Sequence, residues 1–162
     1  RLWVSPQPLS EMSVRDLMNE IYTLNPEWGD GLEWDYLKEV VKLIKDRSKT
    51  ITEITSMSEI FFKDKLEYDI DLLNKTFNDK SIAIIKDFQS ALSTIEDWSR
   101  VEIEKIFEDI MEQHEVAIGQ VMKPVRVAIS GIPFGPGIFD LILLLGKEIC
   151  QIRLRHALSV IQ

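Results

Sequence analysis

The chain has 162 residues, of which 45% are hydrophobic and 28% charged, and its formal net charge is −8. A chain of this length can bury the core of one compact domain or of two small ones. The acidic balance argues against a nonspecific nucleic-acid-binding protein, because such a protein needs a broad basic surface.

Cysteine content and the ends of the chain bear on its cellular setting. Cys150 is the single cysteine, which excludes a disulfide framework and predicts a packed thiol in a reducing cytoplasm. The longest apolar run, Ile138 to Leu145, has eight residues, whereas a membrane span needs about 20. The chain opens with Arg1-Leu2-Trp3 and not with a signal peptide or an initiator methionine. We therefore expect a soluble cytoplasmic fragment or processed product.

The first predicted helix follows an irregular, proline-containing segment, residues 1–12. Ser13 is suited to cap a helix over Val14 to Leu24, where apolar side chains recur at helical spacing. Pro26 and the glycines that follow it then end this helix.

Two more helices are expected before residue 63. An apolar stripe predicts a helix from Leu32 to Asp46, and its spacing favours core packing of Trp34. Thr50 and Glu53 form a capping-box pattern that starts the next helix, which reaches the Phe61-Phe62 pair.

Three helices are expected in the middle of the chain. The first is short, from about Glu67 to Phe77. The second starts at Asn78 or Asp79, and the third starts at Ser99, which forms another capping-box pattern. The outer face of the third helix is strongly acidic, which is typical of a solvated surface.

Glycines and prolines punctuate the last third of the chain. Gly119 is expected to break the chain, Pro124 to lie in the first turn of the next helix, and Gly131 to end it. A turn then leads to a helix from Ile138, and Gly146 separates this helix from the last one. Because no segment alternates as a strand does, we predict an all-α fold.

The C-terminal part also differs in charge. Residues 119–162 contain five basic and two acidic side chains, which leaves a net −11 for residues 1–118. An acidic chain of this kind can still turn a small basic surface towards RNA while its acidic helices face solvent.

The sequence contains no recognisable catalytic or metal-binding pattern. His114 and His156 have no second ligand at metal spacing, and the glycines after residue 130 lack the Lys-Ser/Thr of a phosphate-binding loop. The carboxylates show no paired acid/base placement. We predict no catalytic residue, no metal site and no cofactor in these 162 residues.

Tryptophans and one arginine are candidates for contact with RNA. Trp3, Trp28, Trp34 and Trp98 can stack on bases, although core packing is the commoner role. Arg126 lies among apolar residues, and burying it without a partner would cost several kcal/mol. Its guanidinium suits contact with a base or phosphate, and an intramolecular salt bridge explains it equally well.

Four motifs between residues 123 and 158 carry a family resemblance. They are Lys123-Pro-Val-Arg126-Val-Ala-Ile-Ser-Gly131, Gly135-Pro-Gly137-Ile-Phe-Asp, Leu144-Leu-Gly146-Lys-Glu and Arg153-Leu-Arg-His-Ala-Leu158. Together they closely resemble the C-terminal end of bacterial-type glutamyl-tRNA synthetases, which are class I aminoacyl-tRNA synthetases. Residues 37–62 are similar to the first helices of that family's anticodon-binding region, and the resemblance is looser between 64 and 115.

The resemblance implies two consecutive helical subdomains, residues 1–76 and 77–162, that form an α-helical cage. The catalytic domain, with its two signature motifs, would lie upstream and is absent from this chain. The chain alone would therefore bind the anticodon of tRNA(Glu) without activating glutamate. ATP and Mg²⁺ would belong to the catalytic domain of the parent ligase.

The resemblance also implies which residues read the anticodon. They are Arg47, Arg126, Gly135 and Ile138. Many relatives have threonine or serine at the position of Gly135, so contact there would come from backbone or shape. The implied protein is a monomer that binds tRNA and neither DNA nor membrane. The alternative is an acidic helical scaffold or adaptor that binds a protein partner.

Overall fold

The computed structural model describes residues 8–161, and every regular element within that range is a helix. The predicted all-α fold is confirmed for this part of the chain. Its α-helices are α1 (Val14–Leu24), α2 (Trp34–Ile44), α3 (Ile51–Ser58), α4 (Ile70–Thr76), α5 (Asp79–Ser93), α6 (Arg100–His114), α7 (Ile118–Ser130) and α8 (Ile138–Ile161). Short 3-10 helices cover Leu9–Glu11, Lys45–Arg47 and Glu59–Phe61. None of the helices between residues 8 and 161 combines the length and the apolar character needed to cross a membrane.

The N-terminal caps follow the sequence predictions. At four of the predicted starts, a side-chain oxygen accepts a hydrogen bond from a backbone N–H group of the first turn, which stabilises a helix by about 1 kcal/mol. The caps are Ser13 on α1, Thr50 on α3, Asn78 on α5 and Ser99 on α6. At α5 the Ser81 hydroxyl also accepts from the Asn78 N–H group at 2.8 Å, which completes a capping box.

The chain forms two compact units, the first ending at Phe62 and the second beginning at Lys63. In the first unit, α1 and α3 both pack on α2. Its core holds fully buried aliphatic side chains at helical spacing, including Leu17, Ile21 and Val41. Residues 63–76 belong to the second unit, whereas they were predicted to belong to the first subdomain. The division into subdomains 1–76 and 77–162 stays a prediction.

The tryptophans divide into buried and exposed side chains. Trp28 is 4% exposed and donates from Nε1 to the Ser58 hydroxyl at 2.9 Å. Trp98 donates from Nε1 to the Leu143 carbonyl at 3.2 Å. Trp34 is 45% exposed and stacks one face on Tyr22, so the prediction that it packs in the core was wrong. Trp34 is the first residue of α2, and the buried residues of this helix begin only at Leu37. Trp3 lies outside the described residues.

The second unit packs α5, α6, α7 and α8 around one core, with α4 against α7. Three phenylalanine rings form a chain of edge-to-face contacts through this core. Phe107 lies at the centre, with ring centroids 5.2 Å from Phe88 and 5.0 Å from Phe139. Contacts of this geometry add about 0.5–1.5 kcal/mol beyond the buried area. The core therefore gives α7 and α8 a rigid support.

Candidate nucleic-acid interface

Helix α7 starts earlier than its glycine and proline predicted. Gly119 and Pro124 both lie inside the helix, so the predictions of a break at Gly119 and of Pro124 in the first turn were wrong. The preceding helix ends instead at His114, and the residue that caps it, Glu115, has a φ of 54°. A proline in a helix interior costs about 3 kcal/mol. Burial of Pro124 and Val125 in the core offsets this cost, because burying one such side chain contributes about 1.5–3 kcal/mol.

The end of α7 agrees with the prediction. Gly131 has a φ of 77°, in the left-handed region that favours glycine, and its N–H group donates to the Val127 carbonyl at 2.8 Å. Ser130 is buried, and its hydroxyl donates to the Arg126 carbonyl at 2.6 Å. The same oxygen accepts from the Ile132 N–H group at 3.3 Å. The backbone is thus fixed where it leaves the helix.

Arg126 ties α7 to the 131–137 turn, the segment from Gly131 to Gly137. Its Nη1 donates to the Pro136 carbonyl at 2.7 Å. The same nitrogen is 3.7 Å from where a β-carbon on Gly135 would stand, and Gly135 has a φ of 134°. Hydrogen bonds from a charged donor are roughly twice as strong as neutral ones. The guanidinium therefore holds the turn against the helix.

The 131–137 turn presents one large apolar side chain to solvent. Phe134 is 67% exposed, whereas Pro136 is buried. Ile138, the first residue of α8, is 4% exposed and belongs to the core. An exposed aromatic ring is a suitable surface for stacking a base.

Arg153 holds the end of α7 from the other side. It is fully buried on α8, and its Nη1 donates to the Ile129 carbonyl at 2.7 Å. Its Nη2 donates to the Lys63 carbonyl at 2.6 Å. A cation at a helix C-terminus also interacts favourably with the helix dipole. Arg153 is therefore a structural residue and adds nothing to the basic surface.

Tyr68 supports the same helix end. Its hydroxyl donates to the Ala128 carbonyl and lies 3.1 Å from the Arg153 carbonyl oxygen. Burial raises the pKa of the Tyr68 hydroxyl, and the nearby Arg153 opposes this only in part. The hydroxyl is therefore a neutral hydrogen-bond donor throughout the physiological pH range.

One protein-family model covers almost the whole chain. It describes an anticodon binding domain and matches residues 14–158. The chain belongs to this family.

Its relatives are longer proteins. Glutamate–tRNA ligase 2 of Thermoanaerobacter pseudethanolicus is 31% identical over 135 residues, which cover 83% of this chain and 28% of the relative. The glutamate–tRNA ligase of Flavobacterium johnsoniae is 29% identical over 159 residues, which cover 98% of this chain and 32% of the relative. The chain therefore spans about a third of the length of these curated relatives.

Solved structures confirm the fold. The chain is similar to the crystal structure of a glutamate tRNA ligase from Elizabethkingia meningosepticum, with a TM-score of 0.82 over 95% of this chain and 30% of that one. The glutamate-tRNA synthetase of Elizabethkingia anophelis gives a TM-score of 0.76 over 93% of this chain and 29% of that one. Sequence identity is 21% in both cases, so this similarity bears on the fold alone.

The residues expected to read the anticodon are distributed over both units. The structure brings Arg126 to the residue after Gly135, through its hydrogen bond to the Pro136 carbonyl, with Ile138 at the start of the next helix. Arg47 lies in the first unit, exposed at the end of the 3-10 helix that follows α2. The role of all four residues in anticodon recognition stays a prediction.

Two supporting residues escaped the sequence analysis. The sequence showed Arg153 as a motif residue and as one of the five basic residues after residue 118, and nothing singled out Tyr68. A signal for Arg153 exists, because it shares helical spacing with the buried residues Cys150, Leu154 and Ala157. No comparable pattern surrounds Tyr68, whose partners lie 60 and 85 residues away in the chain.

Proposed function

We propose that this chain binds the anticodon arm of tRNA(Glu) as part of a longer glutamate–tRNA ligase. The match of residues 14–158 to the anticodon binding domain family supports binding of an anticodon. The names of the relatives support glutamate as the amino acid of the parent reaction. The observation that carries the location of the site is the hydrogen bond from Arg126 to Pro136, because it holds the turn that presents Phe134.

In this proposal each residue near the turn has a distinct task. Arg126 keeps the 131–137 turn in place and orients it towards the RNA. Gly135 lets the backbone approach a base closely, since it has no side chain. Phe134 stacks on an unpaired base, and the buried Ile138 supports the turn from the core side. Arg47 contacts the RNA from the first unit.

The chemistry of amino-acid activation is assigned to another domain of the parent protein. ATP and Mg²⁺ would be used there, and we assign neither to these residues. Among residues 8–161, no group of three His, Cys, Asp or Glu side chains could hold a metal ion. We further propose that the protein is monomeric and cytoplasmic and that RNA, not DNA or a membrane, is its partner.

The test is binding of RNA hairpins that carry the anticodon arm of tRNA(Glu). Wild-type protein should bind this hairpin more tightly than one with the tRNA(Gln) anticodon, and more weakly as salt is raised. Arg126→Ala removes the charged hydrogen bond that holds the turn, worth about 1.5–3 kcal/mol, and should lose affinity by up to about 10- to 150-fold. The control is Arg155→Ala, which removes the same charge from an exposed position of α8.

Two results would count against the proposal. Equal affinity of wild type and Arg126→Ala, with unchanged circular dichroism, would remove the assigned role of Arg126. Failure of the wild type to bind either hairpin would contradict anticodon binding by this chain. A protein partner binding to the acidic helix faces would then become the better interpretation.

A further inference from the structure

A cavity with a mixed polar and apolar lining lies in the second unit, between the starts of α5 and α7. Its volume is about 260 Å³, and its lining includes Asn78 and Lys80 on one side and Gly119 and Lys123 on the other. Small-molecule sites usually measure about 300–1,000 Å³. The cavity is therefore too small for a typical organic ligand and suits a single polar group.

The charge of the cavity is opposite to that of the chain. Lys80 and Lys123 are its only charged lining residues, whereas the whole chain carries a net −8. Their side chains are exposed at the rim, on two different helices. Two ammonium groups without a carboxylate in the lining produce a local positive potential that favours an anion.

The backbone at the start of α7 adds to this potential. Ala117, the residue before the helix, has no side-chain oxygen to accept from the first-turn N–H groups. The Gln120 N–H group donates to the Ala117 carbonyl at 3.0 Å. The N–H groups available to a ligand are therefore those of Ile118 and Gly119. A β-carbon on Gly119 would meet no atom within 4 Å, so the backbone there is open to a ligand. Helix N-termini carry about half a positive charge and bind anions through their N–H groups.

Thr76 supplies an independent observation at the same cavity. It lines the cavity, and its hydroxyl oxygen is buried. Within residues 8–161, it is the one buried side-chain oxygen or nitrogen without a hydrogen-bond partner. An unsatisfied buried group costs about 1–3 kcal/mol, so such groups point to a missing partner.

We propose that this cavity binds one phosphate group, supplied by the RNA backbone. The two lysines act as point charges on the phosphate oxygens, and the first turn of α7 donates N–H groups to them. That the phosphate belongs to RNA rests on the function proposed above. That the cavity binds a phosphate group does not. Such a contact positions the RNA and contributes salt dependence without reading its sequence.

The first test measures how the affinity for the tRNA(Glu) anticodon hairpin depends on salt. Lys80→Gln and Lys123→Gln should each weaken binding and reduce the slope of log K against log salt by about 0.7–0.9. The loss should be the same for the tRNA(Gln) hairpin. The control is Lys86→Gln, which removes an exposed lysine from α5 outside the cavity lining. Slopes equal to that of Lys86→Gln would overturn the proposal.

The second test uses inorganic phosphate and needs no RNA. Titration should shift the backbone amide resonances of Ile118 and Gly119 in a saturable manner in the wild type, and Lys123→Gln should abolish the shift. If the wild type bound no RNA hairpin, the proposed function would fail, yet a saturable shift would still support the phosphate site. Absence of a shift in that case would overturn the phosphate site as well.

Discussion

Arg153 on α8 donates a hydrogen bond to the carbonyl oxygen of Ile129 in the last turn of α7, over 2.7 Å. The same guanidinium reaches the Lys63 carbonyl at 2.6 Å and the Asp64 carbonyl at 3.4 Å. One fully buried side chain thus joins three segments that are far apart in sequence. It does so directly behind the helix end from which the 131–137 turn departs.

Replacing this arginine should destabilise the second unit. Arg153→Leu leaves the Ile129 and Lys63 carbonyls without the guanidinium, and each buried group that loses its partner costs about 1–3 kcal/mol. We expect the free energy of unfolding in urea to fall by more than about 2 kcal/mol. Arg155→Leu is the matched control and should change it by less than about 0.5 kcal/mol, because Arg155 is exposed.

A second variant separates charge from geometry. Arg153→Lys keeps the positive charge but lacks the planar fork that reaches several carbonyls at once. Its stability should fall between those of the wild type and Arg153→Leu. If Arg153→Lys were as stable as the wild type, the simultaneous hydrogen bonds of the guanidinium to the Ile129 and Lys63 carbonyls would not be needed for stability.

The thiol of Cys150 should make stability depend on alkaline pH. Burial raises its pKa to about 12, with Arg153 opposing the shift, whereas an unfolded thiol titrates near about 8.5. The folded state keeps the proton, and the unfolded state releases it above about pH 8.5. The free energy of unfolding should therefore fall by about 2 kcal/mol between pH 8 and pH 10 through this group.

Cys150→Ala isolates the contribution of the thiol. The variant should lose less stability than the wild type over the same pH interval, because its other titrating groups are unchanged. The measurement is urea unfolding of both proteins at the two pH values. An identical pH dependence would show that the thiol is accessible or already ionised in the folded protein.

Two glycines on α7 should respond in opposite directions to alanine. Gly131→Ala forces a side chain into the left-handed region, at a φ of 77°, and should cost about 1–2 kcal/mol of stability. Gly119→Ala lies in helical backbone with open space around the added β-carbon, and should stabilise by up to about 1 kcal/mol. Thermal unfolding measures both, and a change of the same sign in the two variants would contradict the assigned conformations.

We expect Phe134 to contribute to RNA-binding affinity and not to the stability of the fold. Phe134→Ser removes a ring that is 67% exposed, so the melting temperature should stay the same. Loss of base stacking should weaken hairpin binding by about 5- to 150-fold, corresponding to about 1–3 kcal/mol. Val101→Ser changes another exposed apolar residue, 73% exposed on α6, and serves as the control. Equal affinity in both variants would exclude stacking on Phe134.

Local signals in the sequence predicted the starts of α1, α3, α5 and α6. Ser13, Thr50, Asn78 and Ser99 each act as a cap, because capping needs only residues within one turn. The break at Gly146 is confirmed in the same way, with a φ of 85° inside α8. Such features depend on neighbours in sequence and are therefore visible in it.

Features that depend on tertiary packing were harder to predict. Pro124 signalled a helix start, yet core burial extends α7 on its N-terminal side. The spacing of apolar residues predicted that Trp34 packs in the core. It could not show that the ring stacks on Tyr22 and stays largely exposed. Near the site, Arg126 and Gly135 were recognisable as motif residues. The hydrogen bond from Arg126 to the Pro136 carbonyl could not be predicted, because it depends on the backbone conformation of the turn.

The three-way connection made by Arg153 sets an order for folding. Lys63 precedes it by 90 residues and Ile129 by 24, so neither contact can form until α8 has left the ribosome. A chain cut anywhere between residues 139 and 152 would contain Arg126, Phe134 and Gly135 but not the side chain that holds the end of α7. The 131–137 turn, which we propose faces the RNA, is therefore fixed only after residue 153 has been synthesised, and the residue that fixes it is fully buried.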